Sequence, residues 1–265
     1  MRLSVITDEI SPDLDVALRE CEAMEISTVE LRSVGGRNLV HHDRDEVFRV
    51  RAALGAGGFT CPVIDTPFLK TPIDEVAWPD LERGFELAHL VGAGTVRIFS
   101  GLRTEGGRPV PISAIVDLLA TAVAKAGDAG LRLALEIEHI TTIATGAQAR
   151  QLLADPALYA LGLVWDPGNE AHFLSATPDP GPIYDLRTAI FHVHVKDADP
   201  AAWVRLGTGV VDWPAQLAAL KEIGYQGHLS IETHYELSDG GAAAATRESV
   251  DSLRTLAAAA GIELA

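Results

Sequence analysis

Positive charge is scarce in this chain. Its 21 lysines and arginines stand against 37 acidic residues, a formal net charge of -16 over 265 residues. Nucleic-acid binding rests on Lys and Arg neutralising phosphates, so this balance argues against DNA or RNA as a partner. Cysteine is nearly absent. Cys21 and Cys61 make no disulfide framework, and the expected compartment is a reducing cytoplasm. No stretch approaches the ~18 apolar residues of a membrane span. The opening MRLSVITDEISPDLD turns acidic where a signal core would be apolar. Two further absences bear on architecture. No Pro/Gly/Ser-rich linker divides the chain, and no Gly-rich nucleotide loop follows an early strand, since GAGG at 55–58 precedes a strand.

What is present is alternation. Short apolar or β-branched runs lie at LSVI (3–6), TVELR (28–32), FTCPVI (59–64) and TVRIF (95–99), then at LRLALEIE (131–138), LGLVWD (161–166), IFHVHV (190–195) and HLSIE (228–232). Between them, DLDVALRECEAM, DLERGFELAHLV and ISAIVDLLATAVAKAGDAG repeat apolar residues at three- and four-residue spacing, the helical signal. Gly92, Gly127, Gly130 and Gly224 stand where helices would end, and Asp212 with Pro214 marks a helix start. Strict β–α alternation implies a parallel sheet, and eight units in about 250 residues is the size of a closed barrel. The expected fold is α/β, a single-domain (β/α)8 TIM barrel over residues 1–265, with a doubly wound open sheet as the alternative.

In such a barrel the chemistry sits at the C-terminal ends of the strands. Strand five ends LALEIEH, with Glu136 and Glu138 on one face by the two-residue period; strand six runs into VWDPGNEAH. Strand seven, FHVHVKDAD, sets His192, His194 and Lys196 on alternate positions of an otherwise apolar run, and strand eight ends SIETH, with Glu232 and His234. Burying each such group without a partner costs roughly 1–3 kcal/mol, so partners or a ligand are expected. Glu136, Asp166, His194 and Glu232 recur at about one βα unit of roughly 30 residues, which points them at one spot. Three converging carboxylates repel, and a divalent cation resolves the conflict. Carboxylates with one imidazole and no thiolate suit Mn2+, Mg2+ or Co2+ better than a structural zinc. His192 reads equally as a hydrogen-bonded interior histidine or a substrate contact. His139 points opposite to Glu138 along the strand and is left as background, while His172 (expected in the first turn of a helix), His41 and His42 read as structural. Arg97, Arg103, Lys70 and Arg205 are cationic groups near barrel-mouth loops that could hold a phosphate or carboxylate, although each alone reads as a surface charge.

The combination LALEIEH, WDPGN, FHVHVKDAD, RLGTGVVDW and GYQGHLSIETH, with ITDEIS and VELRSVGGRNL nearer the start, resembles the xylose-isomerase-like TIM-barrel family over nearly the whole chain. That resemblance implies one divalent ion, Mn2+ first with Mg2+, Co2+ and Zn2+ as alternatives, on Glu136, Asp166, His194 and Glu232. It implies that Glu136 and Glu232 also exchange protons with substrate. Glu138 falls where relatives often carry His or Asn, and Asn169 where many carry His in an Asp-x-x-His pattern; both positions face substrate in the family. Lys196, Arg205 and Lys70 complete the expected substrate-binding set with His192. The implied activity is isomerisation or epimerisation of a sugar or sugar phosphate, an α-hydroxy ketone, through a metal-stabilised enediolate. An inosose-type dehydratase is the alternative. A metal-dependent endonuclease is less favoured because VVDWPAQ lacks that branch's Asp-x-His pair. Dimers and tetramers are common in the family, so a homo-oligomer is among the expected states.

Overall fold

The alternating pattern resolves into eight strands whose ends converge. The computed structural model describes residues 1–104, 106–200, 202–238 and 241–265. The strands are β1 (Arg2–Ile6), β2 (Val29–Glu30), β3 (Val63–Asp65), β4 (Thr95–Ile98), β5 (Arg132–Glu136), β6 (Gly162–Trp165), β7 (Ile190–Val195) and β8 (His228–Ile231). They form one parallel sheet in the order β2-β1-β8-β7-β6-β5-β4-β3. The two edges meet through parallel bridges Thr28–Thr60 and Leu31–Ile64. There the Val29 amide donates to the Thr60 carbonyl at 2.9 Å and the Asp65 amide to the Leu31 carbonyl at 2.9 Å. The sheet is thereby a (β/α)8 barrel.

The helices are α1 (Leu14–Ala23), α2 (Arg44–Gly57), α3 (Trp78–Val91), α4 (Ile112–Asp128), α5 (Gly146–Leu153), α6 (Pro167–Leu174), α7 (Pro182–Leu186), α8 (Trp213–Glu222) and α9 (Gly241–Ala259). Their starts follow the expected chemistry: Asp13 caps α1, and Asp212 caps α8 through the Ala215 amide. None of the described helices is long and apolar enough to cross a membrane.

Local details depart from the sequence reading. The second strand shrinks from 28–32 to Val29–Glu30, because Ser33–Val34 turns back to pair with Arg37–Asn38. The third shrinks to Val63–Asp65, since Pro62 has no N–H for a ladder. Gly127 does not end α4, which runs through it to Asp128; the left-handed residue is Gly130, φ 69°. His172 lies in the last turn of α6, not the first.

Alternation along β7 now has a structural meaning. His192 and His194 both touch Glu30, carried on β2. Two strands separate β2 from β7 in the sheet, so that contact crosses the barrel interior. Val193 and Val195 therefore face the helices. The layer between strands and helices is packed, with Trp165, Leu163, Val193 and Ile231 fully buried, each such aliphatic side chain contributing about 1.5–3 kcal/mol.

Behind the mouth, the Glu170 carboxylate of α6 accepts the Gly146 amide at 3.0 Å and so ties α6 to the start of α5. Burial pushes this carboxyl up to about 7. Its folded value lies above the unfolded one, so the folded state holds the proton more tightly. The resulting stability is full below about pH 4.5 and is lost as pH rises to 7. Glu170→Gln keeps the acceptor and removes the titration. The wild type should lose roughly 1–3 kcal/mol more than this variant between pH 4.5 and 8 in urea unfolding; parallel pH curves would refute the assignment.

Candidate metal centre

The four expected ligands come together at the C-terminal end of the barrel. Glu136 ends β5, and Asp166 caps α6, its Oδ1 accepting the Asn169 amide at 2.8 Å. His194 stands next to the end of β7, and Glu232 follows β8, its amide donating to the Val195 carbonyl at 3.1 Å. All four are at most 3% exposed. One donor atom from each lies within 4.8 Å of the others. His194 Nδ1 faces Glu232 Oε2 at 3.2 Å, Glu136 Oε1 at 3.4 Å and Asp166 Oδ2 at 3.6 Å. That nitrogen is buried and has no hydrogen-bond partner. A buried imidazole nitrogen aimed at three carboxylates fits one divalent cation, and the oxygen-rich donor set suits Mn2+, Mg2+ or Co2+ and accommodates Zn2+.

Arg97 and Arg32 grip carboxylate oxygens turned away from His194, whereas Lys196 reaches two of the oxygens that face it. Arg97 reaches Glu136 Oε2 at 3.0 Å and Asp65 Oδ2 at 3.1 Å. Lys196 donates to Asp166 Oδ2 at 2.6 Å and also to Glu232 Oε2. Arg32 donates to Glu232 Oε1 at 2.7 Å, Asp8 at 2.9 Å and Glu9 at 2.5 Å. Burial raises the Glu232 carboxyl, but Lys196, His234 and His194 outweigh it and hold the group well below the usual carboxylate range. Burial likewise raises Glu136, and Arg97 with His194 brings it down. For His234, burial favours the neutral ring, yet Glu232 and Glu9 drive it up to about 9. His234 has a left-handed backbone, φ 58°, and its amide donates to Glu9 at 2.7 Å. A non-glycine residue held there is pinned by its surroundings.

The remaining candidates fall into three positions. Glu138 and Lys70 meet at the rim, 2.9 Å apart, with Lys70 over the Phe99 ring. Asn169 sits among the ligands and spends its Nδ2 on Glu136, Asp166 and the Ile137 carbonyl, at 3.1, 2.8 and 3.1 Å. His192 lies deeper, Nε2 at 2.8 Å from Glu30. Arg205 is exposed on a turn, and no hydrogen bond or ion pair among the described residues joins its guanidinium to the cluster. Arg103 stacks on Phe173 with Nε and Nη2 buried and without partners.

Several neighbours escaped the sequence reading. Asp65, Glu30 and Arg32 stand at or just past the ends of early strands, in runs that alternate like any half-exposed strand. His139, set aside as background, approaches Glu138 Oε1 at 2.5 Å and Asn169 Oδ1 at 3.1 Å. Trp203 carries no such sequence signal. It stacks on His172 (4.6 Å, 19°), meets His139 and His234, and lies 5.3 Å from Lys196 Nζ. These four rings sit beside the cluster.

A family model described as xylose isomerase-like TIM barrel matches residues 18–256. No curated protein sequence matches. Among solved structures the chain is similar to the IolI protein with a binding zinc atom, at 20% identity and TM-score 0.78 over 98% of this chain and 99% of that one. It is similar to an L-ribulose 3-epimerase at 18% identity, TM-score 0.77, covering 98% and 95%. A third is a probable 3-DHS dehydratase, AsbF of Bacillus anthracis, at 15% identity, TM-score 0.74, covering 96% and 99%. At these identities the likeness speaks for the fold.

Arg97 is the sole arginine or lysine paired with either Glu136 or Asp65 among the described residues. Arg97→Met therefore leaves two buried carboxylates without their cation and should destabilise the metal-free protein by about 3–5 kcal/mol. Urea unfolding measures it, and a loss under ~1 kcal/mol would show that the pair is not sealed from water.

Proposed function

This chain belongs to the xylose isomerase-like TIM barrel family, and from that membership and the geometry at the mouth we propose a divalent-metal-dependent isomerase or epimerase. Its substrate is a sugar or sugar phosphate with an α-hydroxy ketone. Glu136, Asp166, His194 and Glu232 would hold one ion, Mn2+ in first place. The observation that carries this reading is His194 Nδ1, buried and unpartnered before three carboxylate oxygens. When bound, the ion supplies Lewis-acid stabilisation of the charge that develops on the substrate oxygens.

The protein's own groups do the rest. Glu136 and Glu232 approach from β5 and β8, which lie on different sides of the mouth. One takes the carbon-bound proton and the other returns a proton to the opposite face. Arg97 and His194 favour the carboxylate of Glu136, and Lys196, His234 and His194 that of Glu232, the form the base needs; the glutamate that returns a proton would first draw one from solvent. Asn169 fixes the rotamers of Glu136 and Asp166. Lys196, Glu138 and Lys70, with His192 deeper in the barrel, are the proposed polar contacts for the hydroxyls, and Arg205 is the proposed partner of a distal anionic group. The net charge of -16 fits a small molecule rather than a nucleic acid.

A second reading, a dehydratase on the same scaffold, is favoured by Lys196, whose buried ammonium touches Glu232 and could protonate a departing β-hydroxyl.

The test is solvent-deuterium exchange into a panel of ketoses, ketose phosphates and cyclic polyol ketones, followed by NMR with one equivalent of Mn2+. Exchange at the carbon beside the carbonyl is expected, lost on chelation and reduced about 10²–10⁴-fold in Glu136→Gln and in Glu232→Gln. Epimer formation supports the first reading and hydroxyl loss the second. Undiminished exchange in either variant would remove that residue from the acid/base role.

A further inference from the structure

We propose that Glu30 is a positioning residue of this centre: one buried carboxylate accepts the Nε2 hydrogen bonds of both His192 and His194 and thereby turns the Nδ1 of His194 toward the ion site. The inference rests on the metal-binding reading above. Glu30 Oε2 lies 2.8 Å from His192 Nε2, and Oε1 lies 3.1 Å from His194 Nε2. All three residues are fully buried. Among the described residues the only ion pairs of Glu30 are to these two imidazoles. A buried carboxylate with no lysine or arginine beside it is costly to keep, and here both of its oxygens serve histidines.

An ionised carboxylate accepts and cannot donate. Each Nε2 facing it must therefore carry a proton, and a neutral ring then keeps its lone pair on Nδ1. For His194 that lone pair points at the three carboxylates, where a cation belongs. The two imidazole rings lie 5.4 Å apart at 88°, an edge-to-face arrangement with a separate carboxylate oxygen for each. Among the described residues His192 Nδ1 has no partner, so Glu30 supplies the only hydrogen bond on that side chain. The carboxylate itself is anchored on a barrel strand, where Glu30 is the register partner of Ile6. Support of this kind, a carboxylate behind a ligating histidine, typically governs metal affinity by 10–100-fold.

Glu30→Gln separates this role from simple filling of space. The carboxamide keeps the shape but offers one acceptor and one NH2, so one of the two histidines must move its proton to Nδ1. In metal-free, 15N-labelled wild type, two slowly exchanging imidazole N–H signals are expected, on Nε2 of His192 and of His194. In Glu30→Gln at least one is lost or appears on Nδ1, and calorimetric Mn2+ affinity falls about 10–100-fold. A proton on His194 Nδ1 alone in the wild type, or wild-type Mn2+ affinity in a folded Glu30→Gln protein, overturns the proposal. Should Glu30→Gln fail to fold, the wild-type proton positions decide alone. A wild type that binds none of Mn2+, Mg2+, Co2+ and Zn2+ overturns the reading of the centre and this role with it. That outcome is distinct from failure of the Glu30 grip, in which ion binds but the proton sits on the wrong nitrogen.

Discussion

Like charges forced together out of water set the terms for everything around them. At an effective dielectric of about 20, two carboxylates 4 Å apart repel by about 4 kcal/mol, and here three crowd one imidazole nitrogen. Arg97 and Arg32 hold Glu136 Oε2 and Glu232 Oε1 from outside, while Lys196 reaches Asp166 Oδ2 and Glu232 Oε2, two of the oxygens that face His194 Nδ1. These cations fix each carboxylate in place and offset part of the repulsion. Such fixed geometry spares reorganisation when the site is used.

The barrel divides this labour along the chain. Strands β5 to β8 bring the four candidate ligands, while the early strands bring their supports: Glu30 and Arg32 from β2, Asp65 from β3 and Arg97 from β4. Arg97 meets Glu136 from the neighbouring strand, but Glu30 reaches His194 only because the sheet closes. An open sheet with the same strands would leave Glu30 on a distant edge from His194.

That division explains what could be read before the fold was known. Glu136, Asp166, His194 and Glu232 stand out because acids and a histidine end apolar runs at regular spacing. TVELR looks different: Glu30 and Arg32 alternate with Val29 and Leu31 as in any strand with one wet face, and nothing local says that the wet-looking face turns inward. Trp203 and His172 are invisible for another reason, since their contact depends on where a loop and a helix end arrive. The strand count was legible throughout, but not the strand lengths. Pro62 and the reversal after Ser33 shorten two of them through backbone hydrogen bonding that periodicity does not report.

The narrowest join in the wall lies between β2 and β3, sealed by the bridges at Thr28 and Leu31. The same short segment supplies Glu30 and Arg32. A designer could trade outer helices or lengthen most loops and leave the chemistry standing, yet could not borrow the mouth of this barrel for another scaffold without its seam. Whatever draws those two edges apart would let go of the histidine pair and of Glu232 in a single movement, so closure of the cylinder and readiness of the pocket are one event.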